Sequence, residues 1–205
     1  MDDVSDPKFW DAAYDEKRDG WELGDVAPPI SRALREMRGT GRAVVFGCGR
    51  GHEVRAAARA GFDVVGIDFA AQPIADAERM TPPALAHRIA WRRADIFALD
   101  DEGAFDLLIE HTSYCAIDPK RRDEWMRVAR KVLKPGGTLL GLFYAHERPG
   151  GPPYATTREE ARVALERNGF RIERSETPAD SIERRRDNEL LVIAKSVPIS
   201  GGEAA

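Results

Sequence analysis

The stretch Val44-Val45-Phe46-Gly47-Cys48-Gly49-Arg50-Gly51 constrains this chain more than any other, because Val64-Val65-Gly66-Ile67-Asp68 follows it at short range. An apolar strand runs into a glycine-rich turn, a short helix follows over about 52–60, and a second apolar strand ends in an acid. Glycines let a loop backbone come close to a ligand. A carboxylate at the end of the second strand can accept hydrogen bonds from both hydroxyls of a ribose. This is how an α/β protein grips a nucleoside. The dinucleotide fingerprint G-x-G-x-x-G would place its third glycine at position 52, but that residue is His52.

Length and composition fit one enzyme-sized domain. With 205 residues, 42% of them hydrophobic, the chain can bury one substantial core. A single domain over 1–200 is expected, with a disordered tail at 201–205. The net charge is −4 and basic residues are scattered among acids, so there is no electrostatic footprint for nucleic acid. The Arg184-Arg185-Arg186 run reads as a solvated turn before the last strand. Two cysteines make no disulfide framework and suit a reducing cytoplasm. The acidic N-terminus is unlike a signal peptide, and no apolar run approaches the length of a membrane span. A cytoplasmic monomer without membrane or nucleic-acid partners is expected. His52, His87 and His146 do not cluster with cysteines at metal spacing, so no metal is expected.

Strands and helices alternate along the chain. Strands are expected at 43–47, 63–68, Ile89 to Arg93 and Phe105 to Glu110, with helices at 52–60 and 71–80 between them. Pro119 opens a helix through Trp125, Val128, Ala129, Val132 and Leu133, spaced as one apolar face requires; proline suits the first turn, where its missing N–H is no loss. Lys134-Pro135-Gly136-Gly137 is expected to end that helix before a central strand, Thr138 to Tyr144. A helix from Thr157 to Asn168 is closed by Gly169. Two last strands, Phe170 to Glu176 and Glu189 to Lys195, have no helix between them and should pair antiparallel at one edge. The pattern implies a Rossmann-like α/β fold: a seven-stranded, mostly parallel sheet with an antiparallel last strand and helices on both faces.

In such sheets ligands sit beyond the carboxyl ends of the strands, near the topological switch point. The residues there are Gly47 to Gly51, then Asp68-Phe69, then Asp95-Ile96-Phe97, then Glu110-His111-Thr112-Ser113-Tyr114-Cys115. Asp95 and Ile96 suit an adenine by carboxylate and apolar contact. Each acid alone could equally be a helix cap; four suitable strand ends in order are harder to explain that way. The chain reads G-x-G-x-G, the form of methyltransferases that bind S-adenosylmethionine, a ligand without a pyrophosphate to lay on a helix N-terminus. Ahead of the first strand, Trp10, Tyr14 and Trp21 form an aromatic, acid-rich lead-in (about 5–30) that ends at Pro28-Pro29. These rings either pack on the sheet or form a lid over the sulfonium, where a cation–aromatic contact is worth about 0.5–2 kcal/mol.

The chain resembles the thiopurine methyltransferase-like family, and most closely its halide and thiol methyltransferase branch. The likeness runs from about residue 9 to residue 195. It rests on the aromatic lead-in Phe9-Trp10 through Gly20-Trp21-Glu22-Leu23-Gly24 and on the glycine loop G-C-G-R-G-H-E. It rests further on Tyr114-Cys115-Ala116-Ile117-Asp118-Pro119-Lys120-Arg121-Arg122, on L-K-P-G-G, and on Gly150-Gly151-Pro152-Pro153-Tyr154. The resemblance implies a class I fold and transfer of the methyl group of S-adenosylmethionine, leaving S-adenosylhomocysteine, to a small soft nucleophile, organic or inorganic: a thiol, hydrosulfide or halide. By position, Trp10, Tyr14, Trp21, Gly47, Gly49, Asp68, Phe69, Asp95, Ile96 and Glu110 would contact the cofactor, and Ser113, Tyr114, Cys115 and Tyr154 would border the acceptor. The chain departs from the branch mildly at Tyr14, at Glu110-His111, and at Ser113-Tyr114, the last of which makes the pocket more polar; together these changes leave room for a thiol, hydrosulfide or a larger acceptor.

Methyl transfer from a sulfonium is an in-line displacement, so catalysis is mostly alignment and removal of water. A halide or hydrosulfide needs no base near neutral pH, whereas a thiol needs modest help and a phenol more. His111 is the candidate base or electrostatic helper, or else a cofactor contact. Tyr154 is the candidate acceptor-positioning group, or a residue that pins its loop. Cys115 reads as a packed residue, since the reaction needs no covalent enzyme intermediate. The open alternatives are an oxygen or nitrogen methyltransferase for a larger metabolite, a non-catalytic sensor of the cofactor, and a nicotinamide enzyme.

Overall fold

The two apolar runs around the glycine loop become β1 (Arg42–Phe46) and β2 (Asp63–Asp68), joined by α3 (His52–Arg59). A computed structural model describes residues 3–37 and 39–197; the tail 201–205 lies outside the described residues. Two helices, α1 (Pro7–Asp15) and α2 (Pro28–Met37), precede β1. After β2 come α4 (Ala71–Arg79), the short α5 (Pro83–Ala86), β3 (Ile89–Arg93), β4 (Phe105–His111), α6 (Arg122–Val132), β5 (Leu133–Tyr144), α7 (Arg158–Arg167), β6 (Phe170–Glu176) and β7 (Glu189–Ser196).

The seven strands form one sheet in the order β3-β2-β1-β4-β5-β7-β6. The first five run parallel, and β7 is antiparallel to both its neighbours. The chain winds outward from β1 in both directions, so the gap between β1 and β4 is the switch point where a ligand cleft opens.

Alternate residues of the central strands face opposite layers, as the pleat requires. Val44, Phe46, Leu108, Leu139 and Phe143 pack on Trp125, Met126, Ala129 and Val132 of α6 and on Leu165 of α7. Ala43, Val45, Leu107, Ile109, Leu140 and Leu142 pack on Ile30, Ala33 and Leu34 of α2 and on Val54, Ala57 and Ala58 of α3. α7 starts at a reciprocal cap: Glu160 N donates to Thr157 Oγ1 at 3.1 Å and Thr157 N to Glu160 Oε2 at 2.7 Å.

Two local expectations are corrected. Pro28-Pro29 does not close the lead-in but opens α2, whose Pro29, Ile30, Ala33 and Leu34 are buried; prolines fit a first turn whose N–H groups have no partner. Lys134-Pro135-Gly136-Gly137 is not a turn between helix and strand, because β5 begins at Leu133 and carries the four residues within its span. Phe105 pairs with Leu133 and Leu107 with Thr138, so a step of two along β4 matches a step of five along β5, and the surplus bulges outward.

Candidate active site

At the carboxyl ends of the strands lies a cavity of about 460 Å³. The loop after β1 forms its floor. Gly47 and Gly49 have φ of +56° and +52°, a region that costs a side chain energy. A Cβ on Gly47 would stand 2.8 Å from Ser113 Cβ, and one on Gly49 2.9 Å from the Tyr14 hydroxyl. Both glycines are required by close approach as well as by backbone shape.

Asp68, at the end of β2, accepts from Gly49 N through Oδ2 at 3.0 Å and from Ala70 N through Oδ1 at 3.1 Å. No cation pairs with it among the described residues, and burial pushes its carboxyl up to about 6. Each of its oxygens keeps acceptor capacity turned to the cavity it lines. Phe69, Asp95, Ile96 and Phe97 continue this wall. Asp95 also caps the short turn after β3, accepting from Phe97 N at 2.9 Å, so cap and wall are one residue. Arg121 stacks on Phe97, its guanidinium carbon 3.5 Å from the ring centroid.

The aromatic lead-in folds over this floor. Trp10, Tyr14 and Trp21 all line the cavity. Trp21 meets Trp10 edge-on at 5.3 Å between centroids and Tyr14 at 5.5 Å. Trp21 Nε1 donates to the Tyr14 hydroxyl at 3.1 Å, and Trp10 Nε1 to the Val4 carbonyl at 2.9 Å. Burial raises the Tyr14 phenol, which keeps it neutral. Arg50 of the glycine loop ties the lead-in down through Asp19 and Glu22 and reaches Asp76 of α4 at 3.1 Å.

The end of β4 rearranges the expected roles. Ser113 and Cys115 line the cavity, and with them Thr112, a β-branched residue held at φ +65°; such strain persists where surrounding contacts fix it. Glu110 does not reach the cavity. It is fully buried and accepts from the Ser113 hydroxyl and from Tyr114 N at 3.1 Å, so it shapes the loop beneath the cavity. Burial pushes its carboxyl up to about 7. Tyr114 turns into the core, edge-on to Trp125 and Phe143 at 5.4 Å from each, because its ring fills the space above α6. Cys115 Sγ donates to the Thr112 carbonyl at 3.3 Å, and burial pushes the thiol up to about 12; a thiol so placed is a packed group, not a nucleophile.

His111 is also absent from the cavity wall. Its Nδ1 lies 2.8 Å from Glu53 Oε1 and its Nε2 2.8 Å from Arg185 Nη1. A guanidinium only donates, so Nε2 accepts, and the ring hydrogen sits on Nδ1 and donates to Glu53. Both nitrogens are used within the protein, and neither is free to take a proton from an acceptor. Tyr154 likewise stands outside the cavity, its N–H donating to the Cys115 carbonyl at 2.7 Å and its carbonyl accepting from Arg122 at 3.2 Å. It pins the loop whose Pro152 and Pro153 line the cavity.

The remaining wall was not anticipated. Tyr144, at the end of β5, faces the cavity with Arg148, Arg184 and Arg185. Arg148 Nη2 donates to the Tyr144 hydroxyl at 2.7 Å. The Arg184-Arg185-Arg186 run is therefore no solvated turn: Arg185 is 6% exposed and both leading arginines reach the lead-in. The one sequence signal was position, since Tyr144 ends a strand as Asp68 does; the arginines sit on a surface-like polar loop that gives none.

The residues present fit the cofactor expected from the sequence. The buried carboxylate of Asp68, without a cation, can accept from two hydroxyl donors, Gly47 of the glycine loop lines the same cavity, and Trp10, Tyr14 and Trp21 border it. A dinucleotide fits poorly. Its pyrophosphate would need the open N-terminus of α3, whose first turn holds the buried Glu53; a carboxylate there already answers the helix dipole and repels phosphate. Among the described residues no group of three or more His, Cys, Asp or Glu side chains is placed to hold a metal ion. No described helix is long and apolar enough to cross a membrane.

Comparison with known proteins agrees with this geometry. The family model of thiopurine S-methyltransferase matches residues 5–197. Thiocyanate methyltransferase 1 of Arabidopsis thaliana is 32% identical over 188 residues, covering 89% of this chain and 82% of the relative. A probable thiol methyltransferase 2 of the same plant is 32% identical over 164 residues, covering 78% and 73%. Among solved structures, the 1,6-didemethyltoxoflavin-N1-methyltransferase of Burkholderia thailandensis superimposes with a TM-score of 0.79 over 94% of this chain and 87% of that one, at 17% identity; that likeness concerns the fold.

Proposed function

The chain belongs to the thiopurine S-methyltransferase family, and from that premise we propose how this S-adenosylmethionine-dependent methyltransferase works: it methylates a small soft nucleophile, a thiol, hydrosulfide or halide, held beyond the ends of β4 and β5. The relatives act, by name, on thiocyanate and thiols. When bound, the cofactor supplies a methyl group activated by a sulfonium.

The protein's share is binding, alignment and exclusion of water. Asp68 would hold the ribose hydroxyls, with Phe69, Asp95 and Ile96 along the base, and Trp10, Tyr14 and Trp21 would supply aromatic contact to the sulfonium. In the sheet order, β4 and β5 lie across β1 from β2 and β3, so the acceptor meets Thr112, Ser113, Cys115, Tyr144, Pro152 and Pro153. Arg148, Arg184 and Arg185 lend this end a positive field that favours an anionic acceptor.

One observation carries the choice of acceptor. Among the described residues after β4 and β5 that line the cavity, the one carboxylate, Asp118, caps the turn Pro119–Arg121 by accepting from Lys120 N at 2.9 Å, none is a histidine, and His111 is engaged on both sides by Glu53 and Arg185. An alcohol, phenol or ammonium acceptor would need a base there; a halide, hydrosulfide or readily ionised thiol does not. His111 thus acts as a structural support rather than a base. The two free thiols, Cys48 and Cys115, fit a cytoplasmic setting, and a monomer suffices because one chain supplies every wall of the cleft.

The test is turnover of matched acceptors that differ in one atom: thiophenol, phenol and aniline with S-adenosylmethionine. Methylation confined to sulfur is expected. Comparable rates on oxygen or nitrogen would replace this reading with the larger-metabolite one.

A further inference from the structure

Residues 16–27 cross the mouth of the cleft without helix or strand, so their carbonyls need partners from elsewhere. Three consecutive ones find them on a single 3₁₀ turn, Glu183–Arg185. Arg184 donates to the Gly20 carbonyl through Nη1 and to the Glu22 carbonyl through Nη2, each at 2.9 Å. Arg185 donates to the Trp21 carbonyl through Nη2 at 2.7 Å. Its Nη1 meets His111 Nε2 at 2.8 Å and Glu189 Oε1 at 3.5 Å. His111 is held in turn by Glu53 of α3 at 2.8 Å. A continuous line of hydrogen bonds thus runs from the helix behind the glycine loop, through the imidazole at the end of β4, to the backbone of the residue whose indole roofs the cleft.

A guanidinium is a rigid planar fork, and a buried one is costly unless its donors are used. Where His111 and Glu189 set Arg185, the Trp21 backbone must follow. We propose that Arg185 is a positioning residue for methyl transfer: with Arg184 it latches the backbone of residues 20–22, and the Glu53–His111 pair fixes that latch so that Trp21 stays over the cofactor. The inference rests on the reading of the cleft as the S-adenosylmethionine site, and it gives Glu53 and His111 a task without contact to either substrate.

The experiment compares the whole protein with Arg185→Met, Arg185→Lys, Arg184→Met and Leu165→Ala. Leu165 is fully buried on α7, away from the lead-in, and controls for lost stability. Three quantities are read: affinity for S-adenosylhomocysteine by calorimetry, the KM for cofactor against kcat, and the rate of tryptic cleavage after Lys17 and Arg18. Arg185→Met is expected to weaken the affinity and raise the KM on the order of tenfold, and to speed cleavage. Arg185→Lys should fall between, since an ammonium cannot span His111 and the Trp21 carbonyl together. Leu165→Ala should lower the melting temperature and leave affinity and cleavage rate unchanged. Wild-type affinity and cleavage in Arg185→Met, or an equal loss in Leu165→Ala, overturns the latch. Should Arg185→Met fail to fold, Arg184→Met carries the test on the same two readouts, and no change in either overturns it. Absence of S-adenosylhomocysteine binding by the wild-type protein would defeat the reading of the cleft instead, and the cleavage rates would still decide the latch.

Discussion

Gly49 N donates to Asp68 Oδ2 at 3.0 Å, so the glycine loop after β1 and the acid after β2 are one unit. The bond fixes the carboxylate at the height of the loop backbone, where a ribose bound over Gly47 would find it. It leaves the carboxylate without a cation, and burial then pushes the carboxyl up to about 6.

Cofactor affinity should therefore depend on pH through Asp68. Ribose hydroxyls donate to the ionised form, so binding favours the carboxylate. Affinity for S-adenosylhomocysteine should be level above about pH 7 and fall below about pH 6, approaching tenfold per pH unit. Calorimetry between pH 5 and 8 measures it. Asp68→Asn should bind weakly at every pH and show no such fall; a variant as pH-dependent as the wild type would assign the titration to another group.

The roof should matter more to the cofactor than to the acceptor. Trp21→Ala removes an indole that touches Trp10, Tyr14 and the cavity. A lost cation–aromatic contact of about 0.5–2 kcal/mol corresponds to a rise of about 2- to 30-fold in the cofactor KM. Steady-state kinetics should show that rise with the acceptor KM nearly constant.

His111→Ala should act on stability and not on the choice of acceptor. It strands Arg185 and Glu53, 6% and 7% exposed, at a cost of about 3 kcal/mol, or roughly 6–12 °C in Tm for a chain of this size. Iodide and thiol turnover should fall by the same factor. Selective loss of thiol turnover would restore His111 as a base.

Glu110 makes an opposite kind of statement about pH. Its carboxyl, near 4.5 when unfolded, is raised by burial to about 7 in the fold. Between those values the folded state holds the extra proton, so stability should fall as pH rises from about 4.5 to 7 and level off above. Glu110→Gln keeps an acceptor for the Tyr114 N–H and should remove this slope. Urea midpoints at pH 5 and pH 8 for both proteins test it; equal slopes would contradict it.

Much of this was legible in the residues. β3 and β6 fall at the residues expected, and the ends of β1, β2 and β3 deliver Gly47, Asp68, Phe69, Asp95 and Ile96 to one cavity, because a parallel sheet aligns its carboxyl ends whatever the loops do; Gly49 lies behind that wall, bonded to Asp68. The sequence misled where a side chain's direction depends on its neighbours. Glu110, His111 and Tyr114 sit at a strand end like the others, yet Ser113, Glu53 and Trp125 draw them away from the cleft. Position alone cannot reveal those partners, which lie on other elements. Arg184 and Arg185 were invisible for a related reason: a basic loop looks solvated until the backbone carbonyls of Gly20, Trp21 and Glu22 are found opposite it. Tyr154 stands out in the sequence by its loop motif, whereas Tyr144, ten residues earlier at the end of β5, is the tyrosine that lines the cavity beside Arg148.

The most direct test of the account is headspace gas chromatography of the purified protein with S-adenosylmethionine and, separately, iodide, hydrosulfide and a small thiol. Methyl iodide, methanethiol or the methyl thioether should form at rates well above the protein-free control. Cofactor binding without a volatile product from any of the three would contradict the soft-nucleophile assignment.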